Sequence, residues 1–175
     1  MRIVLVTPLY PPDTASTALY VKELARRLSS AHEVTIVAYA HIPEPVKNVE
    51  IVAVPKRQPL TSRLSAFIKV LRQASQNSDV VYAINGASVE LPLLFVDTPF
   101  VFALNDTKAH ARAERSFLLG TLERAVSARA QSIVRDFPIE RPEILPLEEA
   151  PSEEEYEKTW NTHLTLLNET FAHAT

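Results

Sequence analysis

Hydrophobic positions along the chain follow two patterns in turn: short runs rich in Val and Ile, and longer stretches in which apolar residues recur at helical spacing. Arg2 to Thr7 is a short β-branched and Leu run of the kind that fills the centre of a parallel sheet, where both faces are covered and alternation is lost. Pro8, Pro11 and Pro12 end it. Asp13, Thr14, Ser16 and Thr17 offer cap-type side chains before a helical stripe of Leu19, Val21, Leu24, Ala25 and Leu28. Further strands are predicted at Glu33 to Tyr39, Val49 to Val54, Asp79 to Ala83, Pro99 to Leu104 and Gln131 to Val134. Between them lie a helix opened by Thr61 or Ser62, with Leu60, Leu64, Phe67, Ile68 and Leu71 on one face, and a short apolar helix from Ser88 to Phe95. A long basic helix from Thr107 to about Ala130 is capped by Asn105 and Asp106 and bent at Gly120. Strands alternating with helices imply right-handed crossovers. The expected fold is a single Rossmann-like three-layer α/β/α domain with a mostly parallel sheet.

After residue 135 the pattern changes. Residues 136–150 form a Pro- and Glu-rich linker, and 151–175 a C-terminal helix opened by a Ser152/Glu155 capping box. Tyr156, Trp160, Leu164, Leu167 and Phe171 recur at helical spacing. That stripe fits a helix docked on the domain formed by residues 1–135; a partner-binding face is the alternative.

The 175 residues suffice for one α/β core, and 46% hydrophobic with 22% charged residues is ordinary for a globular protein. The absence of cysteine excludes disulfides and thiolate metal sites and points to the cytoplasm, and no run is long enough to span a bilayer. The net charge of −3 is unevenly spread. Residues 1–135 carry 16 Lys and Arg against 11 Asp and Glu, whereas 136–175 carry 2 against 10. The tail therefore either attracts the body or forms a solvated acidic stretch.

Several chemistries are excluded. No G-x-G-x-x-G motif is present and the first loop has no glycine, so no dinucleotide cofactor is implied. The five histidines lack H-x3-H spacing, which argues against zinc. His110 is a helix residue near Arg112 and Glu114, read as exposed, with an acid/base role the alternative. There is no G-x-S-x-G elbow. Lys108, Arg112, Arg115, Arg124 and Arg129 on the basic helix are without interleaved aromatics, which disfavours nucleic acid. A solvated face, pairing with the acidic tail and peripheral contact with anionic lipid remain as readings of that helix.

The opening MRIVLVTPLYPPDT, followed by TALYVKELARRLSSAHEVTIVAYA, resembles the N-terminal, acceptor-side half of family 4 glycosyltransferases of the GT-B type. Pro8, Pro11, Pro12, Asp13, Thr14, Tyr20, Leu24, Ala25, His32, Glu33 and Val34 fall where that pattern places them. The likeness covers residues 1–105 and, more loosely, 106–135. The chain departs from the pattern at Ala15-Ser16, where the family has Gly-Gly, and at Asn105-Asp106, where many members have histidine. Forty residues do not hold the family's nucleotide-sugar domain; Glu140 and Glu148 have its Glu-x7-Glu spacing but stand in the linker. The resemblance implies a glycosyltransferase-like domain acting as the acceptor half of a split retaining sugar transferase, the nucleotide-sugar being held by a partner chain or a second copy. The acceptor would be a sugar or lipid phosphate, at the inner face of the membrane. Asp13, Thr14, Ser16, Thr17, Asn85, Gly86, Asn105 and Lys108 are the expected ligand contacts, and Asp106 the expected general base. No metal or resident cofactor is expected. A non-catalytic Rossmann-like binding module is the rival expectation.

Overall fold

The structure, a computed structural model, describes residues 1–57, 59–138 and 152–174. The elements in order are β1 (Arg2–Thr7), α1 (Ser16–Leu28), β2 (Glu33–Tyr39), β3 (Val49–Val54), α2 (Leu60–Ser75), β4 (Val80–Ile84), α3 (Ala87–Leu93), β5 (Phe100–Ala103), α4 (Thr107–Arg115), α5 (Phe117–Arg129), β6 (Ser132–Val134) and α6 (Glu153–Ala174). The strands form one parallel sheet in the order β3-β2-β1-β4-β5-β6. This is the doubly wound Rossmann-like order, with the chain reversing direction across the sheet between β1 and β4.

The lost alternation of β1 is explained by its neighbours. Ile3 and Leu5 face a core shared with α1 and α6, while Val4 and Val6 face α2, α3 and α5. Every side chain from Ile3 to Thr7 is thus buried, and Arg2 alone is exposed. The C-terminal helix α6 completes the first layer: Trp160, Leu167 and Phe171 are buried with Tyr20, Leu24 and Tyr82. Tyr20 stacks on Trp160 at 5.6 Å between ring centroids, and its hydroxyl lies 2.8 Å from both Tyr82 Oη and His163 Nε2. Burial drives the His163 pKa down to about 4, although the backbone and charge of Asp136 act the other way.

Several sequence expectations need correction. The basic helix is two helices: Ser116 takes extended backbone angles, and its Oγ accepts from Leu119 N–H to cap α5. Gly120 does not bend a helix; a Cβ there would stand 2.8 Å from the Ala113 carbonyl oxygen, so glycine permits α4 and α5 to approach. The first helix begins at Ser16 with Ala15 at its N-cap and no side-chain cap, so Asp13, Thr14, Ser16 and Thr17 do not cap it. Leu19 and Leu60 are exposed rather than part of their stripes. The Ser152/Glu155 box forms in both directions, Ser152 N–H donating to Glu155 Oε2 and Glu155 N–H to Ser152 Oγ. Part of the acidic tail meets the body away from the basic helices: Glu157 receives both guanidinium nitrogens of Arg27 in α1, at 2.6 and 2.9 Å. Linker residues 139–150, with Glu140 and Glu148, lie outside the described residues. Among the described residues no helix is long and apolar enough to cross a membrane.

Candidate functional site

Because the loops after β1 and β4 leave the sheet in opposite directions, a hollow opens at its carboxyl edge. A cleft of about 350 Å³ lies there. Pro8 and Leu9 enter it after β1, Tyr39 ends β2, Lys56 follows β3, and Arg63 reaches in from α2. The opposite wall is Gly86 to Ser88 and Glu90, with Asp106 and Arg112 from the start and middle of α4. Three cationic and two carboxyl side chains thus border one space. A larger hollow of about 520 Å³ sits at the amino edge of β1 to β3 beneath the end of α2. It lacks the loop crossing that gathers side chains at the carboxyl edge.

The wall after β4 is fixed by Asn85 and Gly86. Asn85 is fully buried; its Nδ2 donates to Asp106 O at 2.9 Å, and its Oδ1 accepts from Asp106 N–H at 2.7 Å. These two bonds tie the β4 loop to the β5 loop and aim α4. Gly86 has φ of +142°, and a Cβ would meet Pro8 Cγ at 3.2 Å. Only glycine lets the β4 loop pass the proline of the β1 loop in this conformation. Gly86 N–H then donates to Glu90 Oε1 at 2.8 Å.

Glu90 is 2% exposed although it borders the cleft. Burial raises its pKa to about 7; the Gly86 N–H and His110 oppose the rise and Glu123 adds to it. Glu123 projects from α5, is itself buried, and its Oε1 lies 2.9 Å from His110 Nδ1. Its Oε2 is enclosed without a hydrogen-bond partner. A carboxyl with a raised pKa at the rim of a cleft, as Glu90 is, marks a candidate site of proton exchange. Sequence reasoning passed over Glu90 and Glu123. The available signal was a single carboxylate, Glu90, inside the apolar ASVELPL segment.

The residues expected from sequence are distributed unevenly about this space. Gly86 and Asp106 line it, and Asn85 stands behind it as a tie. Asp106 Oδ1 accepts from Ala109 N–H at 2.9 Å, so one carboxylate oxygen caps α4. Asp13 forms an ion pair with the lining residue Lys56. Thr14, Ser16, Thr17, Asn105 and Lys108 are outside the lining: Thr14, Ser16 and Lys108 are exposed, Thr17 is buried in α1, and Asn105 Oδ1 is enclosed without a partner. Arg63 donates to Lys56 O and sits 5.6 Å over the Tyr39 ring, which stacks on Phe67. Arg112 forms no ion pair among the described residues. No group of three His, Cys, Asp or Glu among the described residues could hold a metal ion.

No family model matches the chain, and no curated protein matches it. Among solved structures the chain is similar over 92% of its length to a putative UDP-N-acetylglucosamine 2-epimerase from Listeria monocytogenes, at 13% identity and a TM-score of 0.49, spanning 41% of that chain. It is similar over 79% of its length to an alpha-glucosyltransferase in complex with UDP and a 13-mer DNA, at 15% identity and a TM-score of 0.46, spanning 40% of that chain. A DNA/pantothenate metabolism flavoprotein from Streptococcus pneumoniae is matched over 100% of this chain and 99% of its own, at 13% identity and a TM-score of 0.41. These distant likenesses concern the fold alone.

Proposed function

We propose that the chain is a glycosyltransferase-like domain whose carboxyl-edge cleft binds a phosphate-bearing sugar or lipid acceptor, with the nucleotide-sugar held by a partner chain. The observation that supports this most is the convergence of Lys56, Arg63 and Arg112 with Glu90 and Asp106 on one cleft at the reversal point of the sheet. Guanidinium groups match phosphate oxygens in pairs, and Arg112, in the last turn of α4 and without an ion pair among the described residues, is available for such a contact. Asp106 Oδ1 is held by the helix, which leaves Oδ2 to accept, as general base, the proton of the attacking hydroxyl of a sugar-phosphate acceptor. Sugar transfer needs donor and acceptor pressed together, and this cleft supplies one wall.

A second reading, a binding module without transfer, is favoured by the ion pair that Asp13 makes with Lys56 and by the capping role of Asp106, both of which account for polar groups structurally. Calorimetry with glucose 6-phosphate, with polyprenyl phosphate and with nucleotide-sugars, on the chain alone and with a candidate partner, separates the two. Acceptor binding by the chain alone and sugar transfer by the pair, lost in Asp106→Ala with the fold intact, are the expected results. Acceptor binding with no transfer by any pair leaves the module, and no binding at all overturns both.

A further inference from the structure

Glu90 borders the acceptor cleft without an assigned role there, yet it is the most unusual group of the cleft. It is nearly closed off from solvent, borders the same space as Arg63 and Arg112, and has one oxygen held by Gly86 N–H. We propose that Glu90 is a specificity-determining contact that binds as the neutral acid, donating a hydrogen bond to an anionic oxygen of a phosphorylated ligand, so that the cleft takes its anion together with a proton. The proposal rests on the reading of the cleft as an anion site.

The physical argument is one of charge. An ionised Glu90 beside a bound phosphate would set two anions together in a poorly solvated place, whereas the protonated carboxyl turns repulsion into a hydrogen bond. The surroundings hold the proton in reach of neutral pH. Burial raises the Glu90 pKa to about 7, and the charge of Glu123, a second buried carboxyl from α5, adds to the rise. His110 from α4 pairs with Glu123 at 2.9 Å, lies 3.8 Å from Glu114, and acts on Glu90 in the opposite sense to Glu123. Across the cleft stand Lys56, already paired with Asp13, and Arg63, with Arg112 and Asp106 on the α4 side. Gly86 N–H fixes Oε1, so the carboxyl cannot swing away from the cleft without losing that bond.

The test is carboxyl carbon NMR of the full chain labelled at glutamate, titrated with sulfate, which keeps its full charge throughout the range in which Glu90 titrates. Glu90→Gln assigns the signal and keeps an oxygen for Gly86 N–H. The expected result is a Glu90 midpoint near 7 in the free protein, raised by about one unit in saturating sulfate, which is about tenfold tighter binding with Glu90 protonated than ionised. Glu123→Gln should lower the free midpoint, and the sulfate response of the unaltered chain carries the test should that variant fail to fold. A sulfate-induced shift of the Arg112 side-chain N–H signal with an unchanged Glu90 midpoint overturns this proposal alone. No perturbation of Arg112 by sulfate overturns the anion-site reading and this proposal with it.

Discussion

At the scale of single residues, burial rather than sequence motif sets the chemistry of this protein. Glu90 has an ordinary value near 4.5 and a folded value of about 7, so the folded chain holds a proton that the unfolded chain has released. Stability therefore falls as pH rises through this window, by about 3 kcal/mol in total. His163 has the opposite sign. Its folded value of about 4 against 6.5 means that the unfolded chain binds the proton first, so stability is lost as pH falls from about 6.5 to 4, again by about 3 kcal/mol. Between pH 4.5 and 6.5 the two slopes cancel. Glu90→Gln should expose the His163 loss on acidification, and His163→Gln the Glu90 loss on alkalinisation, in urea unfolding followed by circular dichroism at several pH values. Parallel pH profiles for all three proteins would contradict this. Asn85 gives a simpler case: Asn85→Ala removes both bonds to Asp106 and leaves a backbone N–H behind, at a cost of about 2 kcal/mol in the same measurement.

Among the elements, α6 and the α4–α5 junction carry the most distinct consequences. The aromatic stripe predicted from 156 to 171 is a true core face, since Trp160 and Phe171 are 3% and 0% exposed. Trp160→Ala should therefore cost about 3–5 kcal/mol, as for any large buried aromatic, and not merely weaken a surface contact. Tyr20→Phe strands the Tyr82 hydroxyl and His163 Nε2 together and should cost about 1–3 kcal/mol. At the junction, Gly120→Ala drives a Cβ against the Ala113 carbonyl, and a loss of about 1–3 kcal/mol in thermal unfolding is expected. A neutral Gly120→Ala would mean that α4 and α5 are not held this closely.

Across the whole molecule, the strand and helix order was legible because the centres of β1, β2 and β4 are buried on both faces and read as short runs rich in Val and Ile. The break at Ser116 was not, because a helix split by one extended residue keeps its composition on either side. The site was half legible. Gly86 and Asp106 could be placed by the rule that ligands sit at the carboxyl edge, but Lys56, Arg63 and Arg112 come from three separate segments that only the sheet order brings together. Glu90 left one signal, a lone carboxylate in the apolar ASVELPL segment, but its coupling to Glu123 was not legible because it depends on how α3 and α5 pack. Recognition of a phosphate by this cleft is decided by calorimetry with glucose 6-phosphate and with glucose, on the chain and on Arg112→Gln. Binding of the phosphate ester but not of glucose, weakened about tenfold or more by loss of the charged contact, is the predicted result. Equal behaviour of the two sugars, or of the two proteins, would contradict it.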